Sequence, residues 1–250
     1  MAGVGPAIAG DADHRRQSVE DIEQFFLRGT AEEYATPTHS SAVVPGAKVT
    51  EHCRPRTWVA LMQIKKESTH LGEIIIVVPE VFEDERGFFM ETYRADQFQA
   101  LGLPTDFVQD NHSRSRRGVV RGLHLQYDPP MGKLMRVTYG RAFLVAVDLR
   151  KGSPTLGKWW GTELSAENKK QMWAPASFGR GFCVLSDWAE IQYKTTGLYN
   201  SSTDVAIRFD DPDIGIQWPV SNPQISERDR KAISLAQWLK SPASDHLRYE

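Results

Sequence analysis

The chain has 250 residues, 40% of them hydrophobic and 25% charged, with a net charge of −2 and a pI near 6.4. That length accommodates one sizeable all-β domain plus an extension, and the near-neutral balance gives no global field favouring nucleic acid or an anionic membrane. Cys53 and Cys183 are the only cysteines, too few for a disulfide scaffold and without C-x-x-C spacing, so a reduced, cytoplasmic setting is the simplest reading.

Met1–Gly10 is small and apolar, and His14-Arg15-Arg16 follows it, the reverse of a secretory order. Ser18-Val19-Glu20-Asp21 then opens a helical spacing of Ile22, Phe25, Phe26 and Leu27, which predicts a short amphipathic helix over 19–34. Residues 35–56 are rich in Pro, Thr, Ser and Ala without a period, and read as linker. Residues 1–70 are therefore expected to be an extension, partly helical or disordered. No apolar run approaches the roughly 20 residues of a membrane span.

From about residue 73 the text becomes β-like. Candidate strands are Ile74–Val78, Gly87–Tyr93, Val119–Tyr127, Lys133–Tyr139, Ala142–Arg150, Lys158–Leu164, Gln171–Ala174, Gly181–Leu185, Ala189–Thr195 and Val205–Phe209. Many short strands bounded by Gly, Pro, Asp and Asn predict a sandwich or barrel. Helices are expected at Ala95–Leu101, stopped by Gly102, and at Glu227–Leu239 after Ser226. The domain is expected over 71–240, with a tail over 241–250.

In Arg121-Gly122-Leu123-His124-Leu125-Gln126, a regular strand puts His124 and Gln126 on one face and Leu123 and Leu125 on the other. The polar face of a small barrel lines its cavity, where a histidine suits proton abstraction at neutral pH. Arg121 would face the other way unless Gly122 marks a bulge. Taken alone, His124 is more often structural. Ser226-x-x-Asp229 equally fits a plain helix cap, Tyr193 a packed aromatic, Lys133 an edge charge and Arg86 a surface turn.

The succession of blocks changes that weighing. Asp84-Glu85-Arg86-Gly87-Phe88-Phe89-Met90-Glu91-Thr92 is followed by Gln109-Asp110-Asn111-His112-Ser113 and Gly118-Val119-Val120-Arg121-Gly122-Leu123-His124. Gly132-Lys133-Leu134, the run Val147–Thr155, Leu164–Asn168, Glu190–Lys194 and Asp213–Pro219 continue in order. Across about residues 73–239 this resembles the dTDP-4-keto-6-deoxyglucose (dTDP-4-dehydrorhamnose) 3,5-epimerase family.

The resemblance implies a cupin-type jelly-roll β-barrel with a few short helices, forming a homodimer. It also implies a dTDP-4-keto-6-deoxy sugar as substrate and neither metal nor redox cofactor. By motif position, His124 is the base, Tyr193 the opposing acid, and Asp229 the carboxylate that orients His124. Lys133 faces the C4 oxygen, where a preorganised charge is worth roughly 3–4 kcal/mol. Arg86, Glu91, Gln109, Asn111 and Arg121 bind nucleotide and position the sugar, some of them reaching across a dimer interface.

One departure stands out. Where the family pattern carries Ala-His, Ser177-Phe178-Gly179-Arg180-Gly181-Phe182 holds Gly179 and Arg180. A guanidinium cannot act as a neutral proton relay, so Arg180 is expected to bind phosphate or brace a carboxylate. Leu125, where many relatives carry an aromatic, is a milder change. The alternatives are inversion at C3 or C5 alone, a ketoisomerase of the same fold, a non-catalytic sugar-nucleotide binder, and a metal-dependent cupin. The last lacks its H-x-H pair at His124.

Overall fold

The computed structural model describes residues 62–249. The helix expected over 19–34 and the linker after it lie outside the described residues. The regular structure of the described residues is mostly strand, in two large antiparallel sheets and one hairpin.

The first sheet has six strands in the order β1-β2-β10-β7-β12-β5: β1 (Ile64–His70), β2 (Ile74–Pro79), β10 (Gln171–Ala174), β7 (Lys133–Tyr139), β12 (Trp188–Thr195) and β5 (Gln109–Arg116). The second has five, β13-β6-β11-β8-β9: β13 (Asp204–Ala206), β6 (Val120–Gln126), β11 (Phe178–Val184), β8 (Arg141–Asp148) and β9 (Trp159–Ser165). The hairpin pairs β3 (Val81–Asp84) with β4 (Gly87–Met90) and joins neither sheet.

Alternation along the strands decides what lies between the sheets. Ile74 and Ile76 of β2, Met135 and Val137 of β7, and Ala189 and Ile191 of β12 meet Leu144 and Ala146 of β8 and Phe178, Phe182 and Val184 of β11 in one buried cluster. This is the facing-sheet core of a cupin-type jelly roll, the expected fold class. The outward face of the second sheet carries Leu123, Leu125, Val145 and Val147. It is covered by the C-terminal segment through Ile207, Ile214, Leu235, Trp238 and Leu247. The outward face of the first sheet presents Val77, Leu134 and Trp173 to Phe98 and Leu103, from α1 (Ala95–Ala100) and the turn after it.

Several elements differ from the sequence expectation. The sheet begins at Ile64, ahead of the visible β pattern, because β1 pairs with β2 while burying little beyond Ile64 itself. The long helix expected over Glu227–Leu239 is two short ones, α2 (Glu227–Arg230) and α3 (Leu235–Lys240). Between them Ile233 leaves the helix to bond Ala206 and Arg208 through its backbone, and Ser234 starts a new capping box with Gln237. Of the expected tail, residues 241–249 are described and are packed: a 3₁₀ turn spans Pro242–His246, and Lys151 bridges to Arg248. No helix among the described residues is long and apolar enough to cross a membrane.

Candidate active site

Strand β6 carries the candidate base, and its local shape is dictated by two glycines. Arg180 of β11 pairs with His124 while Phe182 pairs with Arg121, so β6 holds one residue more than its partner across this stretch. A Cβ on Gly122, whose φ is +126°, would come 2.6 Å from Gly181 Cα and 2.8 Å from Arg180 O, so only glycine permits this approach. The bulge brings Arg121 and His124, three positions apart, to the same cavity. Gln126 shares the His124 face, as the alternation requires. It is spent on structure, its Nε2 donating to Pro129 O and Leu198 O while Oε1 accepts from Asn200 N.

His124 Nε2 lies 2.7 Å from Asp229 Oδ1. Asp229 is buried at the first turn of α2, where its backbone N–H donates to Ser226 Oγ at 3.1 Å. Both readings of Ser226-x-x-Asp229 therefore hold at once: Ser226 caps the helix, and the rigid cap delivers the carboxylate to the imidazole. Burial by itself would raise the Asp229 carboxyl. Hydrogen bonds from His124, Ser226 and the Gly122 backbone outweigh it and hold the group below its usual range. With Nε2 facing a carboxylate, the neutral ring keeps its proton there and leaves Nδ1 free as a base.

The opposite wall comes from the first sheet. Tyr193 on β12 and Lys133 on β7 continue the inward rows of Ile191 and of Met135, and Lys133 Nζ stands 5.0 Å from the centre of the Tyr193 ring. Burial pushes the Tyr193 hydroxyl up. Burial first, and then the nearby Arg180 charge, draw Lys133 down to about 7. The cavity of about 230 Å³ between the walls is lined by Ser113, Arg121, His124, Lys133, Arg180 and Tyr193, among others.

Arg180 occupies an inward position between Phe178 and Phe182 and is only 3% exposed. Its Nη1 donates to Pro175 O at 2.9 Å, but Nε and Nη2 have no protein partner, the only such buried side-chain donors among the described residues. Each unsatisfied buried donor costs about 1–3 kcal/mol.

An adjoining, larger depression of about 340 Å³ shares His124, Lys133 and Tyr193 and adds Gln109, Asn111, Tyr199, Asp204 and Arg228. Gln109 Nε2 donates to Asn111 Oδ1, and Arg228 Nη2 pairs with Asp204 Oδ2 at 2.7 Å. Asp204, Arg228 and Ser113 were not singled out as site residues from sequence: Ser113 closes a family block, Arg228 precedes Asp229 in the expected helix and Asp204 precedes an expected strand, and nothing local aims them at a cavity.

Two expected binders lie elsewhere. Arg86 sits in the turn of the β3–β4 hairpin, its side chain 86% exposed and paired with Asp84, and Glu91 pairs with Arg94. Among the described residues no group of three or more His, Cys, Asp or Glu side chains is placed to hold a metal ion.

Residues 68–237 match the family described as dTDP-4-dehydrorhamnose 3,5-epimerase. The chain belongs to that family. As a member it is an isomerase that epimerises a dTDP-linked keto-deoxy sugar.

The Shigella flexneri dTDP-4-dehydrorhamnose 3,5-epimerase is 52% identical over 163 residues, covering 64% of this chain and 90% of that protein. The Pseudomonas aeruginosa (strain PAO1) enzyme of the same name is 52% identical over 168 residues, covering 66% and 93%. Among solved structures, a dTDP-6-deoxy-D-glucose-3,5-epimerase from Legionella pneumophila Philadelphia 1, in complex with dTDP-4-keto-L-rhamnose, is similar to this chain. It superposes with a TM-score of 0.71 at 42% identity, covering 75% of this chain and all of that one.

Proposed function

We propose that this chain takes a dTDP-4-keto-6-deoxyhexose and inverts it at C3 and C5 by proton transfer, with His124 as base and Tyr193 as acid. The carrying observation is that these side chains enter one cavity from opposite sheets. A planar intermediate held between them loses a proton to one face and receives one on the other.

His124 Nδ1 takes the hydrogen on the carbon next to the C4 carbonyl. The C–H electron pair becomes a C=C bond, and the carbonyl π pair moves onto oxygen. Asp229 stabilises the resulting imidazolium through Nε2. Tyr193 then returns a proton to carbon from the opposite face, the carbonyl re-forms, and exchange with water restores both side chains. Gln109 and Asn111 in the adjoining depression, together with the exposed Arg121 of the smaller cavity, hold the nucleotide diphosphate.

The active unit in this reading is a homodimer. The β3–β4 hairpin leaves Phe88 and Phe89 57% and 59% exposed, with only Lys169 among the described residues placed as a cation over the Phe88 ring, and a two-stranded hairpin with two exposed aromatics is poorly stable unless covered. Docked on a second copy, it would carry Arg86 and Glu91 to the partner's substrate, which accounts for their distance from the cavity of their own chain. The buried free Cys183 fits a reducing, cytoplasmic setting.

The test is incubation with dTDP-4-keto-6-deoxyglucose in heavy water, locating deuterium on the ring. Wash-in at C3 and C5 that His124→Ala abolishes, with dTDP affinity retained, is expected. Retention of wash-in by His124→Ala refutes the base assignment, and wash-in at one carbon alone marks a monoepimerase.

A further inference from the structure

Resting on that reaction, we propose that Arg180 is a catalytic residue. Its free Nε and Nη2 groups bind the C4 oxygen of the keto sugar and hold the negative charge that gathers there when His124 removes the adjacent proton.

Three observations converge on this. First, Arg180 is the cross-strand partner of His124, so the two side chains rise side by side from the second sheet. The carbonyl carbon is bonded to both carbons that lose protons, so a donor beside the base is placed for the carbonyl oxygen. Second, Arg180 has two N–H groups buried with no protein acceptor, and no carboxylate within 4.0 Å among the described residues. Donors left unmatched in a closed cavity are matched when an acceptor arrives with the ligand, and a guanidinium presents two of them in a fixed fork. Third, depth separates the two ends of the substrate. Arg180 is buried in the wall of the smaller cavity, whereas Arg121 on that cavity and Arg228 on the adjoining larger depression are exposed side chains, within reach of a diphosphate that extends toward solvent.

This gives Arg180 a different duty from the phosphate or carboxylate partner expected from sequence. It also divides labour with Lys133. Burial lowers Arg180 only to about 9, so it stays charged at neutral pH, while Lys133 at about 7 is charged on only part of the molecules. The permanent charge of the enolate pocket is then the guanidinium.

The experiment compares wild type with Arg180→Met on three readouts: deuterium wash-in at C3 and C5 of dTDP-4-keto-6-deoxyglucose, affinity for dTDP alone, and melting temperature. Wash-in is expected to slow by roughly 100- to 1000-fold, as for loss of one oxyanion donor, with dTDP affinity unchanged. The basic limb of the pH profile should also move to higher pH, since Lys133 loses an adjoining charge. An Arg180→Met enzyme that exchanges as fast as wild type overturns the proposal. So does one whose loss is matched by lost dTDP affinity, which would make Arg180 a phosphate ligand. If Arg180→Met does not fold, Arg180→Gln is neutral and can still donate to Pro175, and it is read in the same way. A wild-type protein that washes in no deuterium refutes the reaction itself, so the two failures are distinguishable.

Discussion

Replacing Asp229 by Asn keeps the shape of the side chain and removes its charge, which isolates what the carboxylate does for His124. The 2.7 Å separation from Nε2 is in the range of a charge-assisted hydrogen bond, and the carboxylate is buried. A hydrogen bond to a charged group contributes about 1.5–3 kcal/mol, and each 1.36 kcal/mol is tenfold in rate, so proton abstraction should slow by roughly 10- to 150-fold. If the new amide turns its NH₂ toward Nε2, the ring proton is forced onto Nδ1 and the base is lost. The deficit then approaches the ~10⁴-fold seen when a triad aspartate is replaced.

Stability should respond differently from rate. The cap runs from the Asp229 backbone to Ser226 and survives the substitution. Because the folded carboxyl sits below its ordinary value, its contribution to stability is complete above the unfolded value near 3.9. That contribution is lost as pH falls through the lower folded one, so nothing titrates at the assay pH. The assay is deuterium wash-in followed by NMR, beside thermal melts at several pH values. An Asp229→Asn enzyme that exchanges as fast as wild type refutes the orienting role. A loss of rate that only tracks unfolding at the assay temperature makes Asp229 merely structural.

Tyr193→Phe should retain enolate formation while losing inversion, so deuterium enters with the original configuration; an equal loss of both would end the acid assignment. Lys133, lowered to about 7, is neutral in the folded state at pH values where the unfolded chain still holds the proton. Stability should therefore rise between about pH 7 and pH 10, and Lys133→Met should flatten that rise in urea titrations. In the same variant the decline of activity above pH 7 should disappear along with most of the rate. Phe88→Asp with Phe89→Asp should convert a dimer to monomers in light scattering, and raise KM more than it lowers kcat, because the hairpin would deliver binding groups rather than the base.

How much of this was legible in the chain follows from which residues face inward. β7 and β10 match their expected spans residue for residue, since each carries large apolar groups on a strand of regular length. β5 was invisible as a strand because its inward row is Gln109, Asn111, Ser113 and Ser115 and its outward row is Asp110, His112, Arg114 and Arg116. It lines the cavity instead of filling a core, so polar faces polar and no hydrophobic period arises. β1 hides for a related reason: it is an edge strand with one buried side chain.

Sequence by itself determined the fold class, the order of the family blocks, the alternation that aims His124 and Gln126 one way and the leucines the other, and the cap at Ser226. These are properties of neighbours along the chain. Tertiary structure alone decided that Asp229 meets His124 across 105 residues, that the extra residue beside Gly122 turns Arg121 into the same cavity, and that Arg180 is buried with unmatched donors while Arg86 is not. Those depend on strand register and on which sheet faces which. Both are settled by packing between residues far apart in sequence, where local pattern carries no information.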